Sequence, residues 1–476
     1  MSDQAAPATG APVEEFERQP VPPSAHLGFR SFVGVYAGEH TAGTELMLGP
    51  LFVAAGVSAF DLLVGLLLGN LLAVLSWRFM TAPIATRARL TLYYQLERIC
   101  GRRLVTLYNL ANGVMFCFLA GAMVTVSATA FGVWFGFPMP ALNDYLPNSV
   151  GWVAAALGVG AAIAVVAARG YRIVARIANY AAPWMTLVFL AFGLIGLKDF
   201  LDATGTTIRS VSDLWTLANT AIWKGGAPLA GQVKFTFWHV FFFAWFCNMA
   251  MHIGMSDLSL FRYARRSSAG WASAAGMYLG HYLAWMAASV LFALQLHHDP
   301  ADTAVLPGPL AHRACGLAGL LCVIIAGWTT ANPTIYRAGL AFQAVFPRTS
   351  RVRVTLITGM VVAVFGAFPA VAMKLLDFVA LYGLVLMPMG AVIFVDFWLM
   401  PRLHLRPNWA EAGGTAFNWA AGLAWIATLA ACLWAVKSGY TQIYFVSLPG
   451  WFVAAGIYLV GSKLLQRAST PRATAP

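Results

Sequence analysis

Three side chains in the stretch GVYAGEHTAGTELMLGP, residues 34–50, could do chemistry inside an otherwise apolar segment: Glu39, His40 and Glu45. A carboxylate beside an imidazole can pass a proton or hold a cation. An acid at the centre of a bilayer costs roughly 2.5–3.5 kcal/mol even on the lenient insertion scale, so it is a functional hypothesis by default. A second group stands in IIAGWTTANPTIYRAG, residues 324–339, where Thr329, Thr330 and Asn332 precede Pro333. Hydroxyl and carbonyl oxygens are the hard ligands that replace the water of an alkali cation. A third stretch, FWHVFFFAWFCNMAMHIGMSDLSLFRY, places Trp238, Trp245, Asn248 and His252 in a run of Phe and Met. Its aromatic faces could stack a planar ligand, or pack as an ordinary stripe between membrane helices.

Glycines and prolines thread the first two stretches and loosen the helices that hold them. Backbone freed in this way survives at membrane depth only where it lines a cavity or touches protein. Glu39 and His40 therefore face a cavity, pair across a helix interface, or lie at the mouth of a span that begins later. Thr329 and Thr330 also admit a purely packing role, since hydroxyls bond between membrane helices without further function.

The elements that must position these groups follow from composition. Of 476 residues, 60% are hydrophobic and only 10% charged, against about a quarter charged in a soluble protein. Lipid must be the solvent, and the fold class is an all-α polytopic membrane protein. Stretches long enough to cross, about 20 apolar residues each, fall near 29–52, 57–80, 104–136, 150–168, 178–197, 235–256, 270–295, 314–331, 352–369, 375–400, 417–437 and 443–463, twelve in all. The net charge of +12 is orientation and not nucleic-acid binding. Arginines crowd alternate loops (Arg87, Arg89, Arg98, Arg102 and Arg103; Arg169, Arg172 and Arg176; Arg262, Arg265 and Arg266; Arg348, Arg351 and Arg353; Arg402 and Arg406). The positive-inside rule then puts both termini in the cytoplasm.

Residues 1–27, rich in Pro, Ala and acid, lack a signal peptide's basic and apolar regions and read as a disordered tail. TRARLTLYYQLERICGRR reads either as an interfacial amphipathic helix on anionic headgroups or as a basic loop. The six cysteines show no CxxC spacing and read as free thiols. No P-loop, HExxH or GxSxG occurs, and no soluble domain is large enough for ATP. A transport function would draw on an ion or solute gradient; a polytopic enzyme would need an acidic catalytic loop, for which LNDYLPN and HHDPADT are short.

Five stretches, in order over residues 28–402, resemble the nucleobase–cation symporter family of purine–cytosine permeases and hydantoin carriers. GVSAFDLLVGLLLGN (56–70) is similar to its second span and RGYRIVARIANYAAPWM (169–185) to the start of its fifth. LFRYA (260–264) is similar to the end of its sixth, AGWTTANPTIYRAGLAFQAVFP (326–347) to its eighth, and MPMGAVIFVDFWLMPR (387–402) to the DYxLxRR signature closing its tenth.

The resemblance implies a LeuT-type fold. Residues 28–200 and 201–402 would form two inverted five-helix repeats with broken first and sixth spans, followed by two further helices over 403–465 and a tail over 466–476. Half-helix ends supply partial charges and bare carbonyls at such breaks. It also implies a transporter, not an enzyme, that imports a small nitrogenous solute, nucleobase-like or amine-bearing, across the inner membrane. Na⁺ or H⁺ would be the coupling ion, with no other cofactor; the alternative is a proton-only carrier, or a sensor that binds solute without moving it. A sodium site would take the carbonyl of Ala326, the hydroxyls of Thr329 and Thr330, and span-1 carbonyls near Glu39 and Ala42. Solute contacts would come from Glu39, His40, Thr41, Trp245, Asn248 and Asn332. The family's two ring-sandwiching tryptophans are incompletely kept: Met115 or Phe116 stands at the span-3 position and Leu119 at the neighbouring polar one. Glu39 and His40 depart from the family pattern and favour a cationic or amine-bearing ligand, or a coupling proton.

Overall fold

The computed structural model describes residues 15–469. Nine helices among them are long and apolar enough to cross a membrane. With the shorter elements that position the site, the order is α1 (Arg30–His40), α2 (Glu45–Ala54), α3 (Ala59–Ala88), α4 (Leu92–Cys100), α5 (Arg102–Phe135), α6 (Val150–Ala168) and α7 (Tyr171–Thr204). There follow α8 (Phe237–Phe246), α9 (Met249–His252), α10 (Leu258–Phe261), α11 (Ser267–His298), α12 (Pro307–Val345), α13 (Arg351–Gly366), α14 (Phe378–Leu399), α15 (Trp419–Lys437) and α16 (Ile443–Arg467). The first expected span is two helices, α1 and α2, and the sixth is α8 and α9, with α10 just beyond it. The ninth is the 16-residue α13.

The break in the first span has a local cause. Thr41 turns its own N–H and Oγ1 back to the carbonyl of Ala37, at 2.9 and 2.6 Å, and so caps α1. The chain then passes Gly43 close to α5 and α12: a Cβ there would lie 2.7 Å from Val126 Cγ1 and 3.3 Å from the Val323 carbonyl oxygen. The break in the sixth span turns on Met255, whose φ of 62° lies in the left-handed region. The N–H groups of Ser256 and Asp257 close it on the carbonyls of Ala250 and Met251.

The eighth span continues well beyond residue 331, to Val345, and bends where Cys315 and Gly316 leave helical geometry. It packs along α5 and α7 and crosses α1, so the Thr329–Thr330 pair meets the end of α1. Of the two readings of the arginine-rich segment, the helix holds and the loop does not: α4 is amphipathic, with its apolar face packed on protein. Thr91 caps it, and Leu92, Tyr93, Leu96, Ile99 and Cys100 are buried inside the protein. Arg98 on its outer side pairs with Glu411 at 2.8 Å.

From Glu15 onward the expected tail is packed structure; residues 1–14 lie outside the described residues. Glu15 is buried, its carboxylate accepting from Tyr263 and Tyr336 hydroxyls at 2.9 Å each and from the Tyr171 N–H at 3.1 Å. Arg262 donates to the carbonyls of Glu15 and Phe16, both at 2.7 Å. Leu27 and Arg265 complete the strap, the Leu27 N–H bonding the Tyr263 carbonyl and its own carbonyl accepting from the Arg265 N–H. All six cysteines are free thiols.

Candidate solute cavity and cation site

The last turn of a helix leaves carbonyls without partners in the helix. In α1, Ala37 is served by Thr41, and Tyr36 receives His40 Nδ1 at 2.8 Å. The carbonyls of Gly38 and Glu39 turn instead to α12. Thr329 Oγ1 lies 2.9 Å from the Gly38 oxygen and 3.2 Å from that of Ala326. Thr330 Oγ1 lies 2.9 Å from the Glu39 oxygen and 3.0 Å from that of Ala326. Five oxygens, three carbonyl and two hydroxyl, thus converge in a buried corner. The Ala42 carbonyl stands apart, bonded by the Glu45 N–H at 3.1 Å. Gly327 brings α12 close against α5: a Cβ there would stand 2.1 Å from Ser127 Oγ.

The Glu39 side chain points elsewhere. Arg337 on α12, 0% exposed, holds both of its oxygens, at 2.6 and 3.2 Å, and holds Asp257 Oδ1 at 2.6 Å. Asp257 Oδ2 accepts from the Tyr36 hydroxyl at 2.5 Å and from Trp77 Nε1 at 2.7 Å. This network ties α1, α3, the sixth-span break and α12 together. Every carboxylate oxygen in it has a partner, as buried charge requires.

Beside it lies a cavity of about 60 Å³, lined by Glu39, His40, Glu45, Cys247, Asn248, His281, Trp285, Thr330 and Tyr382 among others. Glu45, 4% exposed, accepts from Trp285 Nε1, and its second oxygen lies 4.0 Å from His281 Nε2. The His281 ring stacks on Trp285 at 4.3 Å and meets His40 edge-on at 4.8 Å. His40 Nε2 is buried with no partner. Leu48 lines both this cavity and a vestibule of about 630 Å³ on the far side of α2 from α1. The opposite side is closed by the Arg337 network and the strap through Glu15.

Of the residues expected to contact solute, Glu39, His40 and Asn248 line the cavity. Thr41 is spent on capping α1. Trp245 lies outside the lining, its Nε1 donating to Ser76 at 3.1 Å and its ring stacked on Phe246. Asn332 is buried on α12 with an unpartnered Oδ1. His252 bonds the Trp245 carbonyl at 2.9 Å, and Leu119 and Met123 form the α5 wall. Arg337, Asp257, His281 and Trp285 were not singled out in the sequence. Arg337 carried a signal, a cation inside an apolar span that demands an acid partner; His281 and Trp285 carried none.

No protein-family model matches the chain, and no curated protein matches it in sequence. Solved structures do share its fold. Mhp1, a nucleobase-cation-symport-1 family transporter in a closed conformation with bromovinylhydantoin bound, superposes with a TM-score of 0.68 at 16% identity, over 95% of this chain and 96% of its own. A Na⁺-coupled sialic acid symporter in a substrate-bound outward-open state gives 0.64 at 15% identity, over 92% and 89%. The inward-facing conformation of Mhp1 gives 0.59 at 17% identity, over 98% and 96%. At these identities the likeness is one of fold: the chain is an all-helical, multi-pass membrane protein built like these symporters.

Proposed function

We propose that the chain is a secondary active transporter that imports a small polar nitrogenous solute together with Na⁺ by alternating access. The observation that carries this is the meeting of the Gly38 and Glu39 carbonyls with Ala326, Thr329 and Thr330 at the end of a broken helix, beside a buried cavity. Hard oxygens around an interrupted helix suit an alkali cation. The cation draws α1 and α12 together, and the state it stabilises is the one that receives solute; that differential affinity is the coupling. Access follows the same geometry. The vestibule reaches the cavity past Leu48 while the Glu39–Arg337–Asp257 network and the Glu15 strap close the other side.

The same reading makes twelve spans, two repeats over 28–200 and 201–402 and two further helices. It puts the arginine-rich side and both termini in the cytoplasm, with the protein in the inner membrane. The test is uptake into proteoliposomes of a panel of nucleobases, hydantoins, vitamins and amines, with and without an inward Na⁺ gradient. At least one solute should accumulate only with the gradient, and Thr329→Val should abolish the sodium dependence. Uptake indifferent to sodium for every solute that enters would remove the ion assignment.

A further inference from the structure

The cavity holds two acids in different circumstances. Both oxygens of Glu39 are committed to Arg337. No lysine or arginine pairs with Glu45 among the described residues; its nearest basic atom is His281 Nε2 at 4.0 Å, and its other oxygen has only the Trp285 N–H. A desolvated carboxylate without a counter-charge costs several kcal/mol. The cavity therefore asks for one positive charge beside Glu45. Its walls agree. His40 Nε2 faces it buried and unpartnered, and Asn248 Nδ2 stands 3.4 Å from His281 Nε2 at its edge. On the α5 side the wall is aliphatic, Leu119 and Met123, and Trp245 is turned to Ser76.

We infer that the solute carries an ammonium or amidinium group and that Glu45, not Glu39, is its counter-ion. His281, stacked on Trp285, fixes the carboxylate's surroundings, and His40 accepts a hydrogen bond from the bound cation. About 60 Å³ is the liquid volume of about two water molecules, enough for a methylammonium-sized head group. A larger solute would extend towards the vestibule by displacing Leu48. The inference rests on the carrier reading above and narrows it.

Cys247 lines the same cavity, its Sγ 3.7 Å from His281 Nδ1, and reports occupancy without knowledge of the natural solute. Purified protein in sodium is treated with N-ethylmaleimide and alkylation at Cys247 is read by mass spectrometry. At fixed pH, methylammonium near ten times its dissociation constant should slow this alkylation about tenfold. Uracil should not, and Glu45→Gln should lose the protection while Glu45→Asp keeps part of it. Should Glu45→Gln fail to fold, the weakened protection in Glu45→Asp reads the same contact. Protection by uracil but not methylammonium overturns the inference, as does methylammonium protection unchanged in both variants. No effect of methylammonium on the wild type also overturns it. Sodium-driven uptake of a neutral base that survives Glu45→Gln would sink this inference and leave the carrier reading standing. Methylammonium protection without any sodium-driven uptake would do the reverse.

Discussion

Arg337 shows how charge is managed residue by residue. Its guanidinium bridges Glu39 and Asp257, two acids 218 positions apart in sequence on different spans. Removing one partner of a buried pair leaves uncompensated charge and costs about 3–5 kcal/mol. Arg337→Gln should therefore melt well below wild type in detergent, while Glu39→Gln combined with Asp257→Asn and Arg337→Met should recover most of the loss. Wild-type melting by Arg337→Gln would mean the network is not buried as described. At this scale the sequence was partly readable. Thr329 and Thr330 were legible because two adjacent hydroxyls before an Asn-Pro step are unusual in an apolar helix, and their partners are backbone atoms that any sequence supplies. The partner of Glu39 was not, because Arg337 lies 298 residues away and pairing across spans leaves no local pattern. His281, one imidazole in an apolar run, gains its meaning only from Glu45 and Trp285.

The elements carry the site through close approaches. Gly280 on α11 lies so near α1 that a Cβ would stand 2.4 Å from the His40 carbonyl oxygen. Backbone cannot yield there, so Gly280→Ala should push α11 from α1, separate His281 from His40, and abolish methylammonium protection of Cys247 while leaving the protein helical by circular dichroism. Unchanged protection would show that the packing tolerates the shift. The strap through Glu15 is a second device at this scale. Glu15→Ala removes the carboxylate shared by the Tyr263 and Tyr336 hydroxyls and the Tyr171 N–H, and amide exchange over residues 262–265 should quicken in hydrogen–deuterium exchange; an unchanged rate would mean the strap is held by its backbone bonds to Arg262, Tyr263 and Arg265 instead. The broken first and sixth spans were legible in outline from their glycines and polar residues. The packing of residues 15–27 was not. Acid, Pro and Ala describe a tail by composition, while the contacts that order it are supplied by residues about 150 to 320 positions further on.

At the scale of the whole molecule, the arrangement is asymmetric about the cavity. One side has the vestibule, separated by Leu48; the other has the ion network, the strap and the arginines of the connecting loops. Apolar stretches near the expected lengths are enough to read such a bundle, since the bilayer sets helix length. Among the described residues, the expected stretches fall on nine full-length helices, one shorter helix and two interrupted segments. The first interruption frees the Gly38 and Glu39 carbonyls for the oxygen corner, and the sixth sets Asp257 on Arg337.

Equilibrium binding of radiolabelled sodium to the purified protein tests that corner most directly. The account predicts one saturable site per chain that disappears in Thr329→Val with Thr330→Val and persists in Glu45→Gln. Saturable binding that survives loss of both hydroxyls, or no saturable binding in the wild type, would contradict it.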